Sequence, residues 1–496
     1  MATQAYINRA MHSGEHRFPV ETLHWIHNHP TTVKAAKIAV FIFGAALLAT
    51  LPFSIPAIGG AAILLALTGA ALTLASIIAF AALDILAPPH HDMGKHLYKP
   101  GQCEGGRLYY HGDLPILSIT AEDPYVAGKA HGTLAAEGIY RLSRRFTTAV
   151  HVFLRRPRAE KLSHILEPLK AKIPEVYLRE MQGIVDGYND WVKKHPFKFA
   201  KKVSFDEMLL LHLLPDSVHL NTGGYRRKPA LVGCSAIVDK DRERGVVFAR
   251  NLDWLSLNIV SKYTLVLHRK RPDGLSTIEL AIPGFAGTLT GMNEQGLSLA
   301  MNVCIGETKE AHGMPAIVFN RYCLDTCRNL ADVRAFADRE TPLGPYHLTV
   351  ADTESAQSFH FFQNGQKYTT QRLEEARPLT VLNWRHEPDP YAHGEIHHSR
   401  ARQKTLEAYF RKAHQEIPQE EMERGQLVEA ALALPSINNH ETVHTVVMEP
   451  ATRSFKVALD EAFSGHTPMQ EIPVRRLFGP GRRVRIAEEH NEVHVF

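Results

Sequence analysis

Apolar and polar positions divide the chain into stretches of different character. Residues 1–34 are polar, with several His and no apolar run. Between Lys37 and Asp84, over residues 38–83, no side chain is charged. From about Gly105 apolar residues recur at helical spacing, and beyond Cys234 they alternate.

The uncharged stretch is too long for one core helix and long enough for two membrane spans of about 20 residues each. Pro52, Pro56, Gly59 and Gly60 interrupt its middle. The pattern predicts a two-helix transmembrane hairpin over residues 35–87, with spans near 36–54 and 60–83. The second span is rich in small residues (Gly69, Ala70, Ala71, Thr73, Ser76), which allow close helix approach in lipid. Lys34 and Lys37 flank one side, Lys95 and Lys99 the other. By the positive-inside rule both flanks, and the C-terminal part with them, face the cytosol. A single-span signal anchor and an apolar hairpin buried in a large protein are the alternatives. No signal-peptide h-region precedes the stretch.

Residues 88–104 read as a Pro/His/Gly linker. Residues 105–233 then predict short strands at 107–110 and 116–119 and helices near 125–142, 159–170, 174–194 and 205–215. Two of these helices carry glycine pairs, Gly128 with Gly132 and Gly183 with Gly187. A helical glycine costs about 1 kcal/mol relative to alanine, so these predict close packing. Residues 234–496 predict strands at 235–239, 246–250, 263–268, 276–281, 286–291, 297–302, 347–351, 357–362, 379–382, 443–448 and 454–458. Helices at 316–338, 399–413 and 419–434 interrupt them. Helices followed by antiparallel strands with inserted helices indicate an α+β fold.

Composition narrows the function. The net charge of +4 is small for 496 residues, and no Lys/Arg block argues for nucleic acid. Five cysteines, at 103, 234, 304, 323 and 327, are few and odd in number, which is not a disulfide framework. There is no Asn-x-Ser/Thr sequon. Both features suit a reducing compartment.

Candidate chemistry concentrates in residues 231–254. Apolar runs at 235–238 and 246–249 flank a charged turn, which predicts a β-hairpin. Folding it brings Cys234 near Arg250, Asn251 and Asp253. A thiol beside a cation and a carboxylate suits nucleophilic catalysis. The plainer alternatives are a buried structural cysteine and a local ion pair at a hairpin end. His386, His393, His397 and His398 surround Asn383 and Glu395, and His440 precedes His444 by four, but the spacing fits no standard metal site. Cys323 and Cys327 read as helix packing, Cys304 as packing after a strand, and Cys103 as an exposed linker thiol.

Gly233-Cys234 followed by Arg250-Asn251-Leu252-Asp253 resembles the N-terminal-nucleophile hydrolases of the choloylglycine hydrolase, penicillin V acylase, N-acylethanolamine acid amidase and acid ceramidase group. The acyl-coenzyme A:6-aminopenicillanate acyltransferase-like branch is similar too. Further matches are Gly284–Gly287 with Thr290–Leu297 leading to Asn302, Leu382-Asn383-Trp384, Ser399-Arg-Ala-Arg402, and the two glycine pairs. Ser235 and Ala236 replace the family's usual Thr and Ser, no Thr precedes Asn383, and Trp384 stands for His.

The resemblance implies an αββα sandwich preceded here by the transmembrane hairpin. It implies cleavage before Cys234, whose freed α-amine would serve as base for its thiol. Arg250 would favour the thiolate, Asp253 would hold the α-ammonium, and Asn302 and Asn383 would serve the oxyanion. Arg402, with Arg400 as the fallback, would be the late active-site arginine. Asn251, Trp254 and Trp384 would contact substrate, and no cofactor or metal is implied. The expected activity is hydrolysis of a linear non-peptide amide of a small amphiphile, an N-acyl lipid or N-acyl amino acid. The alternatives are acyl transfer to an amine and a non-catalytic membrane scaffold.

Overall fold

The structure, a computed structural model, describes residues 2–12, 97–143, 166–198, 200–213, 215–216, 232–254, 260–271, 274–304, 313–362, 368–384, 398–439, 441–459 and 464–479. The hairpin expected over residues 35–87 lies outside them. Among the described residues no helix is long and apolar enough to cross a membrane.

The alternating pattern beyond Cys234 becomes two sheets. The larger contains β1 (Gly101–Cys103), β2 (Gly106–His111), β3 (Leu114–Ile119), β6 (Leu265–Arg269), β7 (Thr277–Ala281), β8 (Thr290–Asn293), β9 (Ser298–Val303), β10 (Tyr346–Ala351), β11 (Ala356–Phe361) and β12 (Tyr368–Arg372), in that order. The smaller runs β13 (Leu379–Val381), β4 (Val232–Asp241), β5 (Gly245–Trp254), β14 (Thr442–Glu449), β15 (Ser454–Ala458) and β16 (Gln470–Glu471). Period-two alternation gives each strand two faces. Ala236, Val238, Val246 and Phe248 of the smaller sheet meet Ile116, Val266, Ile278, Met292 and Ala300 of the larger. Ile237, Val247 and Ala249 point the other way, against an outer helical layer.

That outer layer is α7 (Ser399–Glu416), α8 (Arg424–Ala431) and, from the opposite end of the chain, α1 (Ala2–His12). Tyr6 and Ile7 of α1 are buried there. The Tyr6 hydroxyl donates to the Tyr409 carbonyl at 2.5 Å, and Thr3 Oγ1 donates to the Glu421 carbonyl at 2.8 Å. The larger sheet is covered by α2 (Pro124–Leu134), α3 (Glu175–Lys194), α5 (Ala316–Thr326) and α6 (Leu330–Arg339), with α4 (Phe205–His212) packed into the same core. The layers therefore run helices, sheet, sheet, helices, an α+β arrangement.

Several expectations shift. Residues 101–103 are strand β1, and Cys103 is half-buried, so the domain begins inside the expected linker and this thiol is not a freely exposed one. The helix expected over 125–142 breaks at Ala135. The 316–338 helix is two, because Cys327 turns extended and Asn329 caps the second through the Asp332 amide. The half-exposed strand β12 carries no apolar alternation to reveal it.

The paired glycines lie where α2 crosses α3. A Cβ on Gly128 would stand 1.9 Å from the Glu180 carbonyl oxygen, and one on Gly183 would stand 2.1 Å from that of Tyr125. The backbones touch, which only glycine permits.

Glu180 of α3 anchors a buried charged junction. Its carboxylate lies 3.3 Å from Arg269 Nε and 3.3 Å from Arg321 Nη2. Those arginines also hold the loop after β7, donating to the Phe285 and Ala286 carbonyls at 3.3 and 2.7 Å. The loop amides of Gly284 and Ala286 donate to His131 Nε2 and His212 Nε2, at 3.1 and 2.7 Å. His212 also donates from Nδ1 to the Met208 carbonyl, so its neutral tautomer is fixed. Burial, with Arg269 nearby, pushes His131 down to about 3, and burial pushes His212 down to about 4.

A histidine depressed in the fold stays neutral while its unfolded counterpart binds a proton below about 6.5. Stability is therefore retained above that pH and falls on acidification toward the folded values, by on the order of a few kcal/mol. His212→Gln, which keeps an acceptor and cannot titrate, should flatten the slope of unfolding free energy between pH 6.5 and 4, and adding His131→Gln should flatten it further. Unchanged slopes in both the single and the double variant would contradict this assignment.

Candidate active site

The expected hairpin is β4–β5. Cα partners run from Val232 with Trp254 to Asp241 with Gly245. Asp241 Oδ1 accepts from the Glu243 and Arg244 amides at 2.9 and 3.1 Å, and Gly245 takes φ +71°. This is the three-residue connection in which glycine supplies the left-handed position. The register sets Cys234 opposite Leu252 and Gly233 opposite Asp253.

Cys234 and Arg250 meet in the layer between the sheets. Arg250 Nη2 donates to Cys234 Sγ at 3.2 Å and to the Met301 carbonyl at 2.7 Å, and Nη1 donates to Thr290 Oγ1. Among the described residues no carboxylate pairs with Arg250. Cys234 is 0% exposed, and burial pushes its thiol up, Arg250 opposing and Asp253 adding to the rise. The expectation that Arg250 favours the thiolate is thus outweighed by burial, and the thiol here stays protonated.

Arg402, on the first turn of α7, ties the rest together. Nη1 donates to the Cys234 carbonyl at 3.0 Å and to Ser235 Oγ at 2.8 Å. Nη2 donates to Asn383 Oδ1 at 2.8 Å and to Ser399 Oγ at 3.1 Å. Asp253 Oδ2 lies 3.6 Å from Nη1, and its Oδ1 accepts from Thr442 Oγ1 at 2.8 Å. Asn383 follows β13. Its Oδ1 also accepts from the Cys234 amide at 2.8 Å, and its Nδ2 donates to the Val303 carbonyl at 2.7 Å. Asn302, on β9, donates from Nδ2 to the Val381 carbonyl at 2.9 Å.

All six expected catalytic side chains therefore belong to one connected buried cluster. Several of its polar atoms have no hydrogen-bond partner among the described residues: Asp253 Oδ2, Arg250 Nε and Asn302 Oδ1. Unsatisfied buried atoms also occur elsewhere among the described residues, so it is their coincidence here with a thiol, two guanidiniums and a carboxylate that marks a candidate site.

Two other expectations are corrected. Asn251 is turned away from Cys234. Its Nδ2 donates to the Leu432 and Ile437 carbonyls at 2.9 and 3.1 Å and its Oδ1 accepts from Thr445 Oγ1 at 2.7 Å, so it anchors the outer layer and has no group left for substrate. Arg400 lies over the half-buried Trp384 ring, 5.3 Å from its centroid, and Arg402 is the arginine that reaches the cluster. Trp254 is buried in the apolar core shared with Cys234.

Thr290, Ser399 and Thr442 join the cluster as hydrogen-bond partners: the first two stood in matched stretches without an expected role, and Thr442 was not singled out. His444 lies beside the hairpin without bonding to the cluster: it pairs with Leu252 in register, both ring nitrogens lack hydrogen-bond partners among the described residues, and burial with Arg250 nearby pushes it well below the usual histidine range. His386, His393, His397, Glu395 and His440 lie outside the described residues.

Removing Arg402 would leave Asp253 buried without its counter-charge, which typically costs about 3–5 kcal/mol. Arg402→Met should lower unfolding free energy by that order, and adding Asp253→Asn should restore part of it. A double variant no more stable than Arg402→Met would show that the ion pair is not what holds the cluster.

With the geometry in place, comparison with known proteins gives three kinds of result. Residues 240–462 match the family model described as acyl-coenzyme A:6-aminopenicillanic acid acyl-transferase. No curated protein matches the chain. Among solved structures, the chain is similar to a Caenorhabditis elegans N-acylethanolamine-hydrolyzing acid amidase ortholog, at 18% identity over 48% of this chain and 100% of that one, with a TM-score of 0.35. It is similar to penicillin V acylase from Agrobacterium tumefaciens at 13% identity, over 48% and 86%, with a TM-score of 0.34. A conjugated bile acid hydrolase from Clostridium perfringens gives 12% identity, over 50% and 95%, with a TM-score of 0.36. Over residues 240–462 the chain is thus similar to the acyl-coenzyme A:6-aminopenicillanic acid acyl-transferase family.

Proposed function

We propose that the chain is a self-processing cysteine amidohydrolase that cuts a linear, non-peptide amide through an acyl-Cys234 intermediate. One observation carries the reading. Asp253 Oδ2 is buried without a hydrogen-bond partner among the described residues, on the residue paired with Gly233 across the hairpin. An acceptor left open there suits a donor that the intact peptide lacks, the α-ammonium of a freed Cys234. The same nitrogen, as an amide, already donates to Asn383 Oδ1.

The first reaction is on the chain itself. Cys234 Sγ attacks the Gly233 carbonyl carbon, the C–N bond breaks as the acyl group moves to sulfur, and water hydrolyses the thioester. The products are a Gly233 carboxylate and a Cys234 α-amine, whose reference pKa is about 7.7–8.0. In turnover that amine takes the thiol proton as sulfur attacks the substrate carbonyl, then gives it to the leaving amine. Arg250, with no carboxylate partner among the described residues, supplies the positive charge facing the thiolate and oxyanion. Asn383 retains a second amide hydrogen for the oxyanion, and Asn302 would turn the hydrogen of its long 3.5 Å bond to the Leu382 carbonyl toward it; one such donor is typically worth about 2.7–4 kcal/mol. Water resolves the acyl-cysteine.

The substrate class proposed is an amphiphilic N-acyl compound, an N-acyl lipid or N-acyl amino acid. Two features support it: the apolar core around Cys234 and the uncharged stretch at 38–83. That stretch is proposed as a two-span anchor with the catalytic domain in the cytosol. A second reading, transfer of the acyl group to an amine, is favoured by the acyl-transferase description of the matching family. The scaffold reading is disfavoured by the intact set of Cys234, Arg250, Asp253 and Arg402.

Fragment masses and N-terminal sequencing test processing. A new N-terminus at Cys234 is expected in the parent and none in Cys234→Ala. Asn302→Ala should slow amide cleavage by about 10²–10³-fold. A chain that stays whole and never reacts with a thiol-directed acyl probe excludes this chemistry, and product formed only when an amine acceptor is added selects transfer over hydrolysis.

For topology, protease added to sealed cytosol-side-out vesicles should digest residues 100–496. Protection in those vesicles, with digestion only from the opposite side, would overturn the orientation.

A further inference from the structure

We propose that the turn between α3 and α4, with Phe197 at its tip, docks the catalytic domain on an anionic lipid surface. Phe197 is 91% exposed, and no other large apolar side chain among the described residues is exposed. A single exposed apolar residue is ordinary on a protein surface. This one differs in how it is held and in what surrounds it.

The turn is rigidly built. Pro196–Lys198 form a turn of 3₁₀ helix, closed by the Lys198 amide donating to the His195 carbonyl at 3.1 Å. The Tyr140 hydroxyl donates to the Lys198 carbonyl at 2.9 Å, and the Tyr188 hydroxyl to that of Lys201 at 3.2 Å. The Asn189 amide group bonds both backbone groups of Val203, at 2.8 and 2.9 Å. Trp191 stacks on His195 with centroids 4.5 Å apart, beneath the turn. The core helices thus fix the backbone that carries the ring outward.

The surroundings are cationic. Lys193 is paired with Asp190, and Lys198 with Glu137. Lys194, Lys201 and Lys202 are exposed and have no carboxylate partner among the described residues. One protruding aromatic ring on a turn flanked in sequence by three exposed lysines without carboxylate partners among the described residues matches the headgroup layer of an anionic bilayer. The ring enters the acyl boundary and the ammoniums meet phosphates. A protruding ring does not form a groove, so it suits a lipid surface better than a bound peptide.

The placement also connects to the site. Phe205 starts α4 directly beyond the turn, and Met208, Leu209 and Leu213 share the apolar core of Cys234. A lipid-docked turn would set that core one short helix from the bilayer, as an amphiphilic substrate requires. The link to the site rests on the proposed amphiphilic substrate, whereas docking of the turn itself requires neither the hairpin nor self-processing.

A local readout keeps it separate from any anchoring by residues 35–87. Phe197→Trp in the full chain is mixed with vesicles containing brominated phosphatidylcholine, with or without phosphatidylserine, and compared with the parent. The added emission should shift blue and be quenched when phosphatidylserine is present, and salt should reverse this. Combining Lys194→Gln, Lys201→Gln and Lys202→Gln should raise the lipid needed for half-maximal quenching about a hundredfold at low salt, since each surface lysine contributes about fivefold. Emission that remains water-exposed with both vesicles would overturn the proposal. So would a blue shift that grows with protein concentration without lipid, which would assign the turn to a second copy, or quenching equal in neutral and anionic vesicles.

Discussion

A guanidinium taken out of water needs its fork of N–H donors met, and Arg402 meets them across three elements. It joins α7 to β4 through the Cys234 carbonyl and Ser235, and to the end of β13 through Asn383. Its ion pair with Asp253 adds β5. Cys234 is consequently gripped by its backbone as much as by its thiol: carbonyl to Arg402, amide to Asn383, sulfur to Arg250. A lysine, with a single charged nitrogen, could not reproduce this geometry.

The fixed position matters because the thiol is not intrinsically reactive here. Burial holds it protonated despite Arg250. Two guanidiniums and one carboxylate leave the cluster formally one positive charge in excess, ready for a negative charge that the resting thiol does not supply. Its readiness lies in arrangement rather than ionisation, the sense in which an electrostatic site is preorganised.

The hairpin was legible from local signals, because its strands are sequential and its turn is charged. The glycine pairs were legible as well, since a helix keeps glycine only with a reason. Asn251 was misread because proximity in sequence is not proximity in space: strand alternation sends it to the outer layer. Thr442 left no signal, since it reaches the cluster from a segment far from Cys234 and nothing local distinguishes it from other hydroxyl residues, whereas Thr290 and Ser399 stood in matched stretches that did not reveal what their hydroxyls bond. The lysines around Phe197 vanish into a small net charge because acidic neighbours pair with only some of them, and that selection exists only in three dimensions.

The docking of α1 against α7 and α8 gives the smaller sheet a cover drawn from two distant parts of the sequence. Residues 2–12 must meet residues 399–431 before the outer face of β4 and β5 is fully dry, so this face is the part of the sandwich whose completion depends on the longest-range contact among the described residues.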